Sequence, residues 1–207
     1  VRGEIGDELS SLLEKSRGIQ VLATDWLYGT RHLTTKNTPV KKPEDTEGLL
    51  IRAPEQPVYL ATVASWGATP TPVDFSDLYM ALKQGTVDGQ ENPIPTIYTY
   101  KYYEAQKYLI KTGHMIRTIC IVTNAAWYNK MSDDVRSILE DAMIGATEFN
   151  NNLINQKEKE LLEELKELGM EVIEPDVEAF REASSSVHKQ FEDEWGKGLY
   201  ERIQAVK

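Results

Sequence analysis

Apolar side chains recur along the chain at two different spacings, which predict strands and helices in alternation. Short continuous apolar runs favour buried strands, whereas apolar positions three and four residues apart favour helices. The runs predict strands at 18–23, 49–52, 69–73, 107–111, 115–123 and 170–173. The wider spacing predicts helices at 5–15, 57–66, 76–84, 132–168, 175–195 and 196–206. This alternation indicates an α/β fold in which crossover helices return parallel strands to one sheet.

Glycine and proline mark the ends of several of these segments. Gly18 follows the first helix, Pro54 closes the strand at 49–52, and Gly85 ends the helix at 76–84. Proline cannot donate to a strand ladder, and glycine adopts the left-handed conformation common at helix ends. Three stretches are predicted to be irregular. Residues 26–35 are predicted to form a loop or bulge leading to a second extended piece, 86–93 a polar turn, and 112–114 a link between strands.

The longest helical pattern begins after Ser132. Ser132 is a suitable N-cap, and Asp133 and Asp134 lie in the first turn, where the helix dipole favours negative charge. An unbroken helix of about 36 residues would be roughly 54 Å long, longer than one small lobe. The pattern therefore predicts a helix that spans two lobes. A coiled coil is the alternative, although the asparagines at 150–152 interrupt its apolar seam.

Polar signals cluster where the strands around residue 50 end. Arg52 is the last residue before Ala53 and Pro54, Asn92 lies in the polar stretch 86–93, and Phe75 follows the strand at 69–73. Ligands of open α/β sheets bind at the carboxyl ends of the strands. The topology therefore predicts a ligand site bordered by Arg52, Asn92 and Phe75.

The residue types in this cluster suit a carboxylate ligand. The planar guanidinium of Arg52 can donate two parallel, charge-assisted hydrogen bonds to a carboxylate. Asn92 can donate an amide hydrogen to the same group, and Phe75 can supply an apolar wall. Glu55, three residues after Arg52, has two readings: it accepts a hydrogen bond from a substrate hydroxyl, or it pairs with Arg52.

Composition restricts the classes of partner. The 207 residues are 41% hydrophobic and carry a formal charge of −10, which argues against a nucleic-acid surface. An anionic ligand would be repelled by such a surface on average, so its site must be a local positive pocket. No apolar run reaches the roughly 20 residues of a membrane span. The single cysteine, Cys120, lies in an apolar run and is predicted to be a buried core thiol.

Catalytic motifs are absent from the sequence. The chain has no G-x-S-x-G elbow, no P-loop and no G-x-G-x-x-G, and its three histidines are widely separated. Neither a catalytic site, nor a metal site, nor a cofactor is predicted. An alternative to a binding protein is a helical scaffold or interaction protein with no small-molecule ligand, suggested by the long helix alone.

Three segments resemble a known family: IRAPEQPVY, PTPVDFSDLYMALKQGTVDGQENP and YEAQKYLIKTGH. They are similar to the DctP-type substrate-binding proteins of TRAP (tripartite ATP-independent periplasmic) transporters, and the resemblance runs from about Val21 to the C terminus. It implies a periplasmic protein with a two-lobe, periplasmic-binding-protein-like α/β fold. Such a protein is not an enzyme: it captures an organic acid, a dicarboxylate or a sugar acid, and delivers it to the TRAP membrane permease subunits.

The resemblance also implies roles for individual residues. Arg52 pairs with the substrate carboxylate, Asn92 helps to hold it, and Arg31 faces the cleft as a second cation. An aromatic residue at Phe75 packs on the ligand. His114 lies near a hinge between the lobes and is a further candidate ligand contact, with a hydrogen-bonded structural histidine as the alternative.

Compared with the family, an N-terminal portion is expected to precede Val1, and no signal peptide is present. The first lobe would then be incomplete, exposing sheet edge and apolar surface, so self-association is predicted. The predicted organisation is a remnant of lobe I at 1–24, lobe II at 25–116, a return to lobe I at 117–130, a long connecting helix at 131–168, and a C-terminal strand and helices packing across the lobes at 169–207.

Overall fold

The computed structural model describes residues 3–206, which form one mixed sheet flanked by helices. The strands are β1 (Ile19–Thr35), β2 (Leu50–Ala53), β3 (Thr69–Pro72), β4 (Gly89–Pro93), β5 (Tyr108–Asn124) and β6 (Glu171–Ile173). Their order is β3-β2-β4-β1-β5-β6. β2 lies parallel to both β3 and β4, β5 is parallel to β6, and β1 is antiparallel to β4. The predicted α/β class is confirmed, and the sheet is mixed because β1 runs antiparallel to β4.

The helices follow most of the predicted positions. They are α1 (Glu4–Arg17), α2 (Pro57–Ser65), α3 (Leu78–Gln84), α4 (Ile94–Thr99), α5 (Ala125–Tyr128), α6 (Asp133–Glu167), α7 (Val177–Ser184), α8 (Glu192–Trp195) and α9 (Leu199–Gln204). Gly18 and Gly85 end α1 and α3 in the left-handed conformation, as predicted. α6 is a single helix of 35 residues, close to its predicted length. None of the described helices is long and apolar enough to span a membrane.

Several predicted breaks are absent. The stretch 26–35 belongs to β1, where Gly29 adopts a φ of 137° that a residue with a side chain disfavours. The stretch 112–114 likewise lies within β5, with Gly113 at a φ of 57°. In both places glycine accommodates an irregular backbone without ending the strand, so the interruptions predicted at 26–35 and 112–114 are absent.

The polar stretch at 86–93 was the largest error in the predicted elements. Its second half is β4, which pairs with β1 and β2, and all five residues of that strand are buried. The polar side chains of Gln90, Glu91 and Asn92 are hydrogen-bonded to other buried polar groups, so their burial carries no unpaired cost. Polarity alone therefore indicated a turn where the chain forms a central strand.

The C-terminal predictions need a similar correction. The helix predicted at 175–195 is divided into α7, a 3₁₀ turn at Val187–Phe191, and α8. The terminal helix is limited to α9, because Gly196 and Gly198 both adopt positive φ before it. Two other 3₁₀ turns, Pro43–Thr46 and Tyr102–Glu104, connect elements of the sheet.

The chain divides into two compact units. Unit 1 comprises the residues up to Gly29 together with Arg117–Glu158, and unit 2 comprises Thr30–Ile116 together with the residues from Lys159 onward. The boundaries fall within β1, β5 and α6.

Unit 2 contains both hydrophobic clusters found among the described residues. One is centred on Leu33, Ile51, Val63, Trp66 and Phe180, the other on Leu78, Leu82, Ile97, Leu109 and Leu165. Unit 1 instead exposes large apolar side chains, namely Leu9, Leu12, Ile119, Val122, Trp127, Val135, Ile138, Ile144, Phe149 and Leu153. Cys120, in the same unit, is exposed, so the prediction of a buried thiol was wrong.

Candidate functional site

Arg52 lies at the carboxyl end of β2, between Thr71 of β3 and Gln90 of β4. Pro54 and Pro72 follow at the ends of the two parallel strands, where a residue without an N–H group ends the ladder. Arg52 is 3% exposed, and its Nε donates a 2.9 Å hydrogen bond to the carbonyl of Val73. The sequence-based placement of Arg52 at a strand end is therefore confirmed.

The charge of Arg52 has no acidic partner in contact. Among residues 3–206, no carboxylate forms an ion pair with this guanidinium. Burial lowers the pKa of Arg52, and the negative charge of Glu91 opposes that shift from a distance. A buried charge without a partner is costly, so an anion that reached the guanidinium would be stabilised.

A cavity of about 320 Å³ opens beside Arg52. Its lining includes the guanidinium side chain of Arg52, the carboxylate-bearing residues Glu55 and Asp74, and the ring of Phe75. The guanidinium carbon of Arg52 lies 6.0 Å from the centroid of that ring, and Phe75 is 39% exposed. The structure thus brings together three of the predicted site residues: Arg52, Glu55 and Phe75. Glu55 forms no ion pair with Arg52 in the described part of the chain.

The second arginine of the prediction, Arg31, has a different environment. Arg31 lies in β1, and its Nε and Nη2 both donate to the carboxylate of Glu91, with Nη2 2.8 Å from Oε1. Nη2 is also 2.7 Å from the carbonyl oxygen of Glu91 and 3.1 Å from Oδ1 of Asn92. The guanidinium carbon lies 5.0 Å from the ring centroid of Tyr59. Arg31 is therefore held by a bidentate ion pair inside the protein.

His114 completes the surroundings of Glu91. Its Nε2 lies 3.2 Å from Oε2 of Glu91, its Nδ1 lies 2.7 Å from the hydroxyl of Thr112, and its ring contacts the edge of Trp66 at 4.9 Å between centroids. Burial by itself would raise the pKa of Glu91, but hydrogen bonds from His114 and Arg31 and the charge of Arg31 lower it overall. We refer to Arg31, Glu91, Asn92 and His114 as the Glu91 network.

Both polar ends of the Asn92 amide are engaged. Its Oδ1 accepts from Arg31, and its Nδ2 donates to Oε1 of Gln90 at 2.5 Å. Asn92 is 2% exposed and does not line the cavity beside Arg52. The six predicted residues consequently fall into two groups, three at the cavity and three in the Glu91 network.

Glu91 itself was missed by the sequence analysis. Its carboxylate is the group that joins Arg31 to His114. The available signal was an acid inside a five-residue strand that sits between two other strands of the sheet. That signal could be recognised only if 89–93 had first been assigned as a strand.

Neighbouring His32 is also buried, and its neutral form is favoured. Burial lowers the pKa of His32 to about 4, with smaller contributions from His114 and Lys111. Its Nδ1 accepts a 3.1 Å hydrogen bond from the backbone N–H of Gly113. Within the described residues, no group of three or more His, Cys, Asp and Glu side chains is arranged to hold a metal ion.

Comparison with known proteins places this geometry in context. The profile of the DctP family, described as bacterial extracellular solute-binding protein, family 7, matches residues 1–194. The chain is similar to the sialic acid-binding periplasmic protein SiaP of Vibrio cholerae, at 36% identity over 87% of this chain and 56% of that protein. It is also similar to the 2,3-diketo-L-gulonate-binding periplasmic protein YiaO of Escherichia coli, at 34% identity over 87% of this chain and 55% of that protein.

A solved structure shows the same fold. It is a TRAP periplasmic solute-binding protein of Roseobacter denitrificans with bound 3-deoxy-D-manno-oct-2-ulosonic acid. The TM-score is 0.92 at 30% identity, and the match covers 100% of this chain and 69% of that one. The predicted resemblance and fold class are confirmed. The chain spans only a little over half the length of the two periplasmic relatives.

Proposed function

The chain belongs to family 7 of the bacterial extracellular solute-binding proteins, the DctP type of TRAP solute-binding protein, and from this premise we propose that Arg52 captures the carboxylate of a small organic acid. One observation carries the proposal: the guanidinium of Arg52 is buried, borders a cavity, and has no carboxylate partner among the described residues. A ligand carboxylate would supply the missing negative charge through two parallel hydrogen bonds.

The rest of the cavity lining supports a ligand that carries hydroxyl groups. Glu55 and Asp74 offer carboxylate oxygens that accept hydrogen bonds from hydroxyls, and Phe75 offers an apolar face. Relatives named for sialic acid and for 2,3-diketo-L-gulonate, and a similar structure with a bound sugar acid, support a sugar acid, whereas relatives named for C4-dicarboxylates support a dicarboxylate. A dicarboxylate remains the second ligand class to be tested.

The residues of the Glu91 network keep their proposed roles in the binding site. The side chains of Arg31 and Asn92 are held by hydrogen bonds, and His114 contacts the same carboxylate, that of Glu91, as Arg31 does. Because Glu91 balances the charge of Arg31, we propose that Arg31 contacts the ligand as a hydrogen-bond donor while Arg52 supplies the unbalanced charge. The lobe boundaries given in the sequence analysis are part of the same proposal.

The biological role follows from the family. We propose that the protein acts outside the cytoplasm, in the periplasm, and that it binds its acid without chemical turnover. We further propose that it delivers the acid to TRAP permease subunits in the membrane. The family membership and the periplasmic names of the relatives support these points.

Calorimetric titration of the chain with sugar acids and dicarboxylates tests the proposal, after a thermal-shift screen has found the acids that stabilise it. Arg52→Ala should weaken binding by at least about 2 kcal/mol, the scale for removing one partner of a desolvated charge pair. Arg52→Lys should also bind poorly, because an ammonium group cannot form the bidentate pair.

The control is Arg136→Ala, which removes a partly exposed arginine in unit 1 that pairs with Asp133. Its affinity should match that of the unaltered chain. Equal affinity in Arg52→Ala would remove Arg52 from the site. A chain that no organic acid stabilises would instead support the scaffold alternative.

Self-association of the chain is a separate proposal. The large apolar side chains exposed on unit 1, including Ile138 at 68% and Phe149 at 71%, support it. Exposed apolar surface of this kind favours association. Sedimentation velocity over a range of concentrations should show oligomers that Ile138→Glu together with Phe149→Glu reduces. A monomer at every concentration would contradict the proposal.

A further inference from the structure

Three aromatic side chains form a continuous row that ends at the cavity. The ring of Phe75 meets the ring of Tyr100 edge to face, with centroids 4.6 Å apart and planes at 81°. Tyr100 in turn stacks with Tyr102 at 6.0 Å and 27°. Tyr102 is fully buried, Tyr100 is 49% exposed and Phe75 is 39% exposed. The row therefore rises from the core of unit 2 to the mouth of the cavity beside Arg52.

The backbone between the two tyrosines is unusual. Lys101 adopts the left-handed conformation, with a φ of 56°. No other non-glycine residue in the described part of the chain has a positive φ. Its N–H donates to the carbonyl of Tyr98, and its carbonyl accepts from the N–H of Glu104, both at 3.0 Å. Only Tyr100 and Lys101 therefore separate the end of α4 at Thr99 from the start of the 3₁₀ turn at Tyr102. A left-handed lysine costs free energy, so the surrounding contacts must favour this geometry.

Phe75 contacts one aromatic ring and one cation among the described residues. It lies in the turn before α3, outside any strand or helix, where the N–H of Asp77 bonds to the carbonyl of Asp74. The recorded ring contacts of Phe75 are Tyr100 on one side and the guanidinium of Arg52 on the other. An aromatic ring prefers to present its face to a cation and to meet another ring edge to face, and both preferences are met here.

We propose that Tyr100 is a positioning residue for ligand binding, which holds the ring of Phe75 over Arg52 while Lys101 and Tyr102 anchor Tyr100 to the core. This inference rests on the proposed function, because it deepens the description of the Arg52 site. Without Tyr100, the half-exposed ring of Phe75 could sample several rotamers, and binding would have to order it. Tyr100 does not itself line the cavity.

The test combines a readout of the ring with a readout of binding. The chain contains four phenylalanines, so labelling with 4-fluorophenylalanine gives few resonances, and Phe75→Leu identifies the one that belongs to Phe75. Tyr100→Ala should shift that resonance toward the position of an exposed ring, whereas Tyr100→Phe should leave it nearly unchanged. Tyr200→Ala is the matched control, because Tyr200 is 39% exposed and stacks on His188 at 3.7 Å, away from the cavity.

Calorimetry with an acid found in the thermal-shift screen gives the second readout. Tyr100→Ala should weaken binding about 5-fold, the scale for ordering one side chain, and Tyr100→Phe should restore it. In the Phe75→Leu background, Tyr100→Ala should cause no further loss, because Tyr100 acts through Phe75.

An unshifted Phe75 resonance in Tyr100→Ala, or an additive loss in the double variant, would overturn the inference. Unaltered affinity in Tyr100→Ala, with binding abolished in Arg52→Ala, would overturn this inference alone. Equal affinity in the unaltered chain and Arg52→Ala would instead overturn the proposed function, and the fluorine shift would still decide whether Tyr100 positions Phe75.

Discussion

Arg31 and Arg52 are almost equally buried, at 4% and 3% exposure, yet their charges have opposite surroundings. Arg31 makes a bidentate ion pair with Glu91 and a further bond to Asn92. Arg52 donates to one carbonyl and faces one aromatic ring, with no contacting carboxylate in the described residues. The two regions are close enough for the charge of Glu91 to influence Arg52.

The difference shows that burial alone does not identify a binding arginine. Removing either partner of a buried, paired arginine leaves an uncompensated charge in the interior and therefore destabilises the fold. A buried, unpaired arginine beside a cavity keeps its charge available for a ligand. The net charge of −10 would predict neither environment.

The largest expected change in stability follows from removing Glu91, the partner of Arg31. Glu91→Ala leaves the guanidinium of Arg31 buried without its carboxylate, so the free energy of unfolding should fall by about 3–5 kcal/mol. Urea denaturation followed by tryptophan fluorescence would measure it. Glu163→Ala is the control, because Glu163 pairs with Lys166 at 2.7 Å while both side chains are largely solvated. That substitution should change the free energy by less than about 1 kcal/mol.

The second prediction concerns His32, beside the same network. The pKa of His32 is about 4 in the folded protein, against 6.5 for an exposed histidine. Between these values the unfolded chain binds a proton that the folded chain does not. Stability from this residue is therefore complete above pH 6.5 and is lost as the pH falls toward 4, by about 3 kcal/mol in total.

Urea titrations at several pH values between 4 and 7 would measure this dependence. His32→Asn keeps an acceptor near the position of Nδ1 for the N–H of Gly113 but does not titrate, so its stability should depend less steeply on pH in this range. The slope that remains would come from carboxylates such as Glu91, whose pKa is lowered. An identical slope in both proteins would show that folding does not lower the pKa of His32.

The smallest expected effect belongs to Arg52. Arg52→Met removes a charge that contacts no carboxylate among residues 3–206, so the free energy of unfolding should change by less than about 1 kcal/mol. The same substitution at Arg31 should be clearly more destabilising, since it leaves Glu91 buried with His114 alone. Equal losses in the two variants, measured by urea denaturation, would erase the distinction between the two regions.

Much of the region around Arg52 could be predicted from the sequence. The apolar run 49–52, the proline after it and the helix that follows place an arginine at a strand end, and the structure agrees. Periodicity is a local property, and so is the effect of proline on a ladder. Glu55 and Phe75 could be placed near Arg52 for the same reason, because both lie within a few residues of those strand ends.

The region around Arg31 could not be predicted in the same way. Its partner Glu91 is 60 residues away in sequence, and β4 is recognisable as a strand only once its polar side chains have found partners. Asn92 was expected at the ligand because it lies in the polar stretch 86–93, near the strand ends; its strand and the hydrogen bonds at both ends of its amide were not predicted. Long-range pairing of polar groups leaves no periodic signal.

The sequence also could not predict which apolar side chains of unit 1 are buried and which are exposed. Apolar spacing indicated which face of α6 and β5 is apolar, but it does not show what covers that face. Cys120 illustrates the point, since it lies in an apolar run and is exposed. In unit 2, by contrast, apolar side chains with the same spacing pack against one another in two hydrophobic clusters.

The most direct test of the account is a crystal structure of the chain with the tightest-binding acid from the thermal-shift screen. We expect the ligand carboxylate to accept two hydrogen bonds from the guanidinium of Arg52, each about 2.8 Å long, with Phe75 packed against the ligand and the ion pair between Arg31 and Glu91 intact. An acid bound away from Arg52, or one that displaces Glu91 from Arg31 while Arg52 contacts only water, would contradict it.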